Sequence, residues 1–315
     1  MFSEVFKEAN IKRDLITLSL FLIAVSNILY KSYFAPDGYL SNDSTLYLSV
    51  SQGLLDGQGT QGYFGVQANE SMDHFATWPL GYPLLIYGFS KITGISVFWA
   101  SKFVNILILA SAFLFIRRNF PDNYLPLCSV FLFAGPSEIF VYSWSETIFI
   151  FLIIAYCIYL SKVILEKDAF KKNCLYLFIT AVSLFGTRYI GAFSIGPIII
   201  AGLFQILILK NTRNGILLFV TSFLAFLIMI GYLSWNWHTT GYPTGIPRPA
   251  TIDSFYDLTV SFFRSILVQL IPHAAHHYGE TGNGRSLIYI SFSIYILITV
   301  YFIWRSLQSV QIKKH

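Results

Sequence analysis

The 315-residue sequence is poor in charge. Asp, Glu, Lys and Arg make up 12% of it, about half the share of a soluble domain, while 55% is hydrophobic and 18% aromatic. Such a composition excludes an ordinary soluble domain and indicates an integral membrane protein. Cysteine is scarce as well. Cys128, Cys157 and Cys174 fall inside or at the ends of apolar runs and form no CxxC pair, so they are expected to be small buried hydrophobes rather than a disulfide frame or a metal site. No repeat, coiled coil or soluble domain is evident. The first apolar run lacks an Ala-x-Ala-like exit and is expected to stay as an anchor. The net charge of +5 gives no argument for nucleic acid, because the basic residues cluster at the ends of apolar runs.

One absence is local. Between Ala35 and Trp78 there is no Lys or Arg, yet the stretch holds Asp37, Asp43, Asp56, Glu70 and Asp73. It belongs to the longest polar interval of the chain, 35–83. A long ordered loop beside a bilayer is costly, so this one is expected to carry function.

What is abundant is apolar runs. A helix crosses a bilayer core with about 20 residues, and 15–33 qualifies first. Lys7, Lys12 and Arg13 precede it, which places the N-terminus in the cytoplasm and the 35–83 loop outside. Run 80–95 is short, is interrupted by Gly81, Pro83, Gly88 and Gly94, and carries Lys91. It is expected to be juxtamembrane or re-entrant on the outer face. Runs 98–116, 124–141, 146–164, 174–187, 190–209, 215–233 and 286–304 complete an all-α bundle of about eight transmembrane helices. Residues 1–315 then form a single transmembrane domain, with outer loops at about 35–97 and 234–284 and both termini cytoplasmic. This arrangement puts 14 of the 21 basic residues inside and the other 7 outside, as the positive-inside rule requires.

Polar residues at membrane depth cost free energy unless they are paired or solvated, so they mark functional sites. Here they gather at the outer ends of the spans. Asp43 opens a helical stretch, 44–55, and shares a helix face with Tyr47 four residues on. It is a general base for an acceptor hydroxyl or amine, a ligand for a cation, or a simple N-cap. Arg188, between Thr187 and Tyr189, can hold a phosphate bidentately, or it can snorkel to lipid headgroups. Glu138 and Glu146 flank an outer turn, where Glu146 also suits a helix N-terminus. Asp73, His74 and Trp78 close the first outer loop, with Trp78 and Tyr82 either interfacial belt residues or a sugar platform. Arg248, between Pro247 and Pro249, is a second candidate for phosphate contact. His273, His276 and His277 have a spacing that could bind zinc but no partner ligand at a recognisable distance, so a wetted interfacial cluster is the simpler reading. No cofactor is called for, and a divalent cation is left open.

Four of these features occur in an order that resembles the multi-spanning GT-C glycosyltransferases. The likeness is to the bacterial branch related to protein mannosyltransferases and to the aminoarabinose and galacturonic acid transferases of lipid A. The features are Asp43-Ser44-Thr45-Leu46-Tyr47, Trp78-Pro79-Leu80-Gly81-Tyr82-Pro83-Leu84-Leu85, Pro136 through Ser145-Glu146, and Thr187-Arg188-Tyr189. The resemblance covers roughly 14–209. It implies an inverting transferase in the plasma (inner) membrane that uses a polyprenyl-phosphate-linked sugar on the outer face. The acceptor would be a lipid, glycan or protein. It also implies Asp43 as catalytic carboxylate, Arg188 on the donor phosphate, and Glu146 in the pocket wall. Where many mannosyltransferases have an acidic pair, this chain has Asn42-Asp43, and no C-terminal soluble domain is expected. The alternatives are a non-catalytic membrane assembly partner and a lipid-linked glycan transporter or polymerase. A transporter would call for broken mid-span helices and an inverted repeat, which the sequence lacks.

Overall fold

In the computed structural model the described residues are 2–63, 72–165 and 169–245, with Ser254, Tyr256, Thr259 and Val260; side chains at 2–10, 62, 63, 72 and 73 are outside the description. By internal contacts the chain divides into Met1–Arg248 and Pro249–His315, and every element below belongs to the first unit.

The apolar runs form helices because a backbone in hydrocarbon must satisfy its own hydrogen bonds. In order these are α1 (Phe2–Phe34), α2 (Asn42–Leu55), α3 (Gly81–Thr93), α4 (Val97–Asn119), α5 (Tyr124–Ser129), α6 (Ala134–Val141), α7 (Glu146–Leu165), α8 (Phe170–Thr187), α9 (Ile195–Leu207) and α10 (Thr212–Thr240). Between α2 and α3, strands β1 (Gln61–Tyr63) and β2 (Met72–His74) make a small antiparallel ribbon, with Gln61 opposite His74. The architecture is that of an all-α membrane protein with a small ribbon. Among the described residues five helices are long and apolar enough to cross a bilayer, and a bent pair makes a sixth crossing if counted as one.

Several expected boundaries hold. Run 98–116 is α4, and 146–164 is α7. The 80–95 run yields only the 13-residue α3, about 20 Å long and too short to span. Others need correction. The 124–141 run is not one straight helix but α5, a 3₁₀ turn at Val130–Leu132 and α6, bent by 66°. Phe133 is extended at the break, and Pro136 sits in the first turn of α6, where its missing N–H costs nothing. The outer segment expected from 234 begins later, because α10 continues to Thr240 and stops at Gly241, whose φ of +76° suits glycine. Run 174–187 lies in α8, which is not among the five helices; Lys171 and Lys172 in its first turn interrupt its apolar character. The 286–304 run lies outside the described residues. Cys128 and Cys174 are buried as expected, but Cys157 is exposed, and all three are unpaired.

The unit has two chemically different ends. At one, Arg117 forks onto Asp14 at 2.9 and 2.6 Å, Arg13 donates to the carbonyls of Pro121 and Asp122, and Lys162 donates to Asn119. At the other lie the end of α1, α2, the ribbon, the α6–α7 turn and the end of α8, joined by the contacts described next. A core of Tyr47, Val50, Phe75, Tyr82, Ile86 and Leu109 ties α2, α3 and α4 together at that second end.

Candidate active site

Asp43 is the second residue of α2, and it is not the cap. Ser41, extended at φ −113°, accepts from the backbone N–H of Ser44 at 3.2 Å and caps the helix. The N-cap is therefore Ser41 and not Asp43, which lies half-buried in the first turn of α2 as its only acid. Ser41 also accepts from Trp144 Nε1 at 2.6 Å, which fixes the start of α2 against the α6–α7 turn.

Tyr47, one turn below Asp43, is 2% exposed and shares a hydrogen bond of 2.8 Å with Ser145 Oγ. Burial raises its hydroxyl pKa well above the ordinary phenol value. The Ser145 bond opposes this, and the charges of Glu146, Arg188 and Asp43 also act on the ring. That one phenol therefore stays protonated while lying within electrostatic reach of three charges from three separate stretches. Glu146, the first residue of α7, pairs with Arg188, the residue that ends α8. Both remain accessible, at 30% and 25% exposure, so a solute can compete for either. The Arg188 guanidinium lies 5.5 Å from the centre of the Trp78 ring, a cation–π arrangement.

Backbone proximity allows this contact. A Cβ added at Gly81 would collide with the carbonyl of Gly186, so only glycine lets the start of α3 meet the end of α8. Tyr189, next to Arg188, donates to the carbonyl of Ala76 at 2.7 Å and accepts from Asn236 Nδ2 at 2.8 Å, bringing α10 to the same place.

His74 stands at the edge of the group. Its Nδ1 is 2.8 Å from Thr60 Oγ1, its ring meets Trp235 edge-on at 4.7 Å, and burial lowers its pKa. Asp73 lies on β2 opposite Gly62, its side chain outside the description. Glu138 belongs to a second cluster: it pairs with Lys31 and accepts from the Tyr39 hydroxyl. Tyr39 meets Tyr142 at a tilt with ring centres 4.7 Å apart, and Tyr142 stacks on Trp144 at 4.2 Å, linking that cluster to Ser41. Arg248 and His273, His276 and His277 lie outside the described residues, among which no group of three His, Cys, Asp or Glu is placed to hold a metal ion.

The sequence reading missed the clamp that presents Glu146. On α4, Asn105 is fully buried and satisfied on every side. Its Nδ2 donates to the carbonyls of Phe140 and Tyr142, and its Oδ1 accepts from Tyr82 and Thr147. Ser101 bonds Ser143 at 2.7 Å, and the fully buried Lys102 donates to the Val141 carbonyl at 2.7 Å. The only available signal was the presence of these polar residues in an apolar run.

No family model, curated protein or solved structure matches this chain.

Proposed function

We propose that this chain is a membrane glycosyltransferase of the GT-C type, with about eight spans and its site on the outer face. It moves a sugar from a polyprenyl-phosphate donor to an acceptor hydroxyl or amine, with inversion. Asp43 takes the acceptor's proton as the acceptor oxygen or nitrogen bonds to the anomeric carbon. The bond from that carbon to the phosphate oxygen breaks, and the charge left on the polyprenyl phosphate falls to Arg188. Trp78 orients the guanidinium, Glu146 holds it in the absence of substrate, and Tyr47 lines the floor between acid and cation. His74, Tyr189 and Glu138 border the same end of the bundle, and Asp73 and Arg248 are assigned to donor or acceptor contacts by sequence position alone.

The observation that carries this reading is the Glu146–Arg188 ion pair next to the Ser145 that bonds Tyr47, with Asp43 one turn above Tyr47 on α2, although α2, α7 and α8 are far apart in the chain. A carboxylate and a guanidinium at one accessible rim are what proton removal and phosphate departure need. The test is a transfer assay in membranes with radiolabelled polyprenyl-phosphate sugars. Asp43→Asn and Arg188→Ala should each lower turnover by about 10²-fold or more while leaving the fold intact. Two folded variants that transfer as well as the parent would end the proposal. A parent inactive with every donor would favour the assembly-partner reading.

A further inference from the structure

At the opposite end of the unit, α8 and α10 start side by side and flank an open cavity of about 740 Å³. Lys171, Lys172 and Arg213 line it together with Asn214, and no described lining residue is acidic. Each cation lies in the first turn of its helix, and neither first turn contains an acid. Cations there face the positive ends of two helix dipoles, a placement that is unfavourable unless an anion sits among them. The first turn of α8 also has no side-chain cap, since Ala169 occupies that position at φ +57°.

The same cavity is also lined by Ile216, Leu217 and Val220, and the apolar surface continues along that face of α10 through exposed Phe223, Leu224 and Leu227. Positive charge beside a hydrocarbon surface that runs on along α10 fits an amphiphile with an anionic head. It does not fit a soluble anion, which has no use for the apolar surface. We infer that the cavity formed by Ala169, Phe170, Lys171, Lys172, Arg213 and Val220 binds the phosphodiester headgroup of an anionic glycerophospholipid, with an acyl chain laid along α10. This site is separate from the one around Tyr47 and stands whether or not the chain is a transferase.

The test uses the full chain in detergent micelles, with phosphatidylglycerol, phosphatidylcholine of the same acyl chains, or inorganic phosphate added. Phosphatidylglycerol should raise the thermal unfolding midpoint and remain bound in native mass spectrometry, while phosphatidylcholine should do neither. Lys171, Lys172 and Arg213 are all exposed, so replacing them leaves the packed core untouched. Lys171→Gln/Lys172→Gln/Arg213→Gln should lower the apparent affinity for phosphatidylglycerol by at least roughly tenfold, given about fivefold per cation. Arg118→Gln, an exposed cation outside the cavity, should not. Equal effects of the two lipids, an unchanged preference in the triple variant, or the same shift with inorganic phosphate alone would each overturn the assignment.

Discussion

Arg188 is held by Glu146. The guanidinium that closes α8 forms an ion pair with the carboxylate that opens α7, and it lies over the Trp78 ring. The cation is thus fixed in place before any ligand arrives, and a phosphate that reaches it must displace a carboxylate. Trp78 offers the guanidinium a face that an ammonium would use less well, so arginine and lysine are not equivalent here.

Under the proposed function, Glu146→Gln should therefore strengthen donor binding. Removing the competing carboxylate leaves Arg188 free for phosphate, and a partly exposed ion pair of this kind is worth roughly 1 kcal/mol. The expected outcome is a KM for polyprenyl-phosphate sugar lowered about fivefold, measured in the membrane transfer assay. A KM raised by the substitution would mean that Glu146 contacts the donor instead of guarding the cation.

The α6–α7 turn depends on α4. Asn105 satisfies two carbonyls of the turn and two hydroxyls at once, all in a buried setting. Asn105→Ala strands two carbonyls and the Tyr82 hydroxyl, while Thr147 keeps its bond to the Trp144 carbonyl, and should destabilise the fold by about 3 kcal/mol or more. Ser101→Ala, which removes one hydroxyl pair, should cost about 1 kcal/mol. Thermal or denaturant unfolding in micelles of one composition would compare the two, and equal losses would show that the clamp does not centre on Asn105.

These residues mark the boundary of what the sequence made legible. Helices α4 and α7 followed from apolar runs of the right length, because the bilayer leaves few alternatives. Asp43, Tyr47, Trp78, Glu146 and Arg188 stand out in the sequence as polar or aromatic residues beside apolar runs, and the fold brings all five to one end of the bundle. Asn105 and Lys102 were passed over because their partners, the carbonyls of 140–142, lie more than a span away in sequence. The break at Phe133 was hidden too. Gly135 and Pro136 are as compatible with the start of a helix as with a kink, and only the packing of α6 on α1 decides between them. The pairing of Glu138 with Lys31 likewise joins residues that no local pattern connects.

His74 should make the structure around the ribbon sensitive to acid. Burial holds its imidazole below its ordinary value of 6.5, so the folded state binds fewer protons than the unfolded chain. The stability contributed by the neutral ring is present in full above about pH 6.5. It is lost as pH falls from there through the lower folded value. Unfolding midpoints in micelles between pH 8 and pH 5 should fall on the acid side, and His74→Asn should flatten that fall. A profile that stays equally steep in the variant would assign the acid sensitivity to other groups.

The two ends of the bundle should also be distinguishable from the two sides of the membrane. Asn42 is exposed beside Asp43, and Lys172 is exposed at the start of α8. In a variant whose three native cysteines are replaced by alanine, Asn42→Cys should react with a membrane-impermeant maleimide applied to intact cells. Lys172→Cys should react only after permeabilisation. The expectation rests on Lys171, Lys172 and Arg213 gathering at the same end as Arg13 and Arg117, the arrangement that the positive-inside rule assigns to the cytoplasm. The reverse labelling pattern would move the cluster around Tyr47 to the cytoplasmic face and remove the basis for an outer-face sugar transfer. Equal reactivity from both sides would mean that α1, α4 and α7 do not separate the two ends across a bilayer.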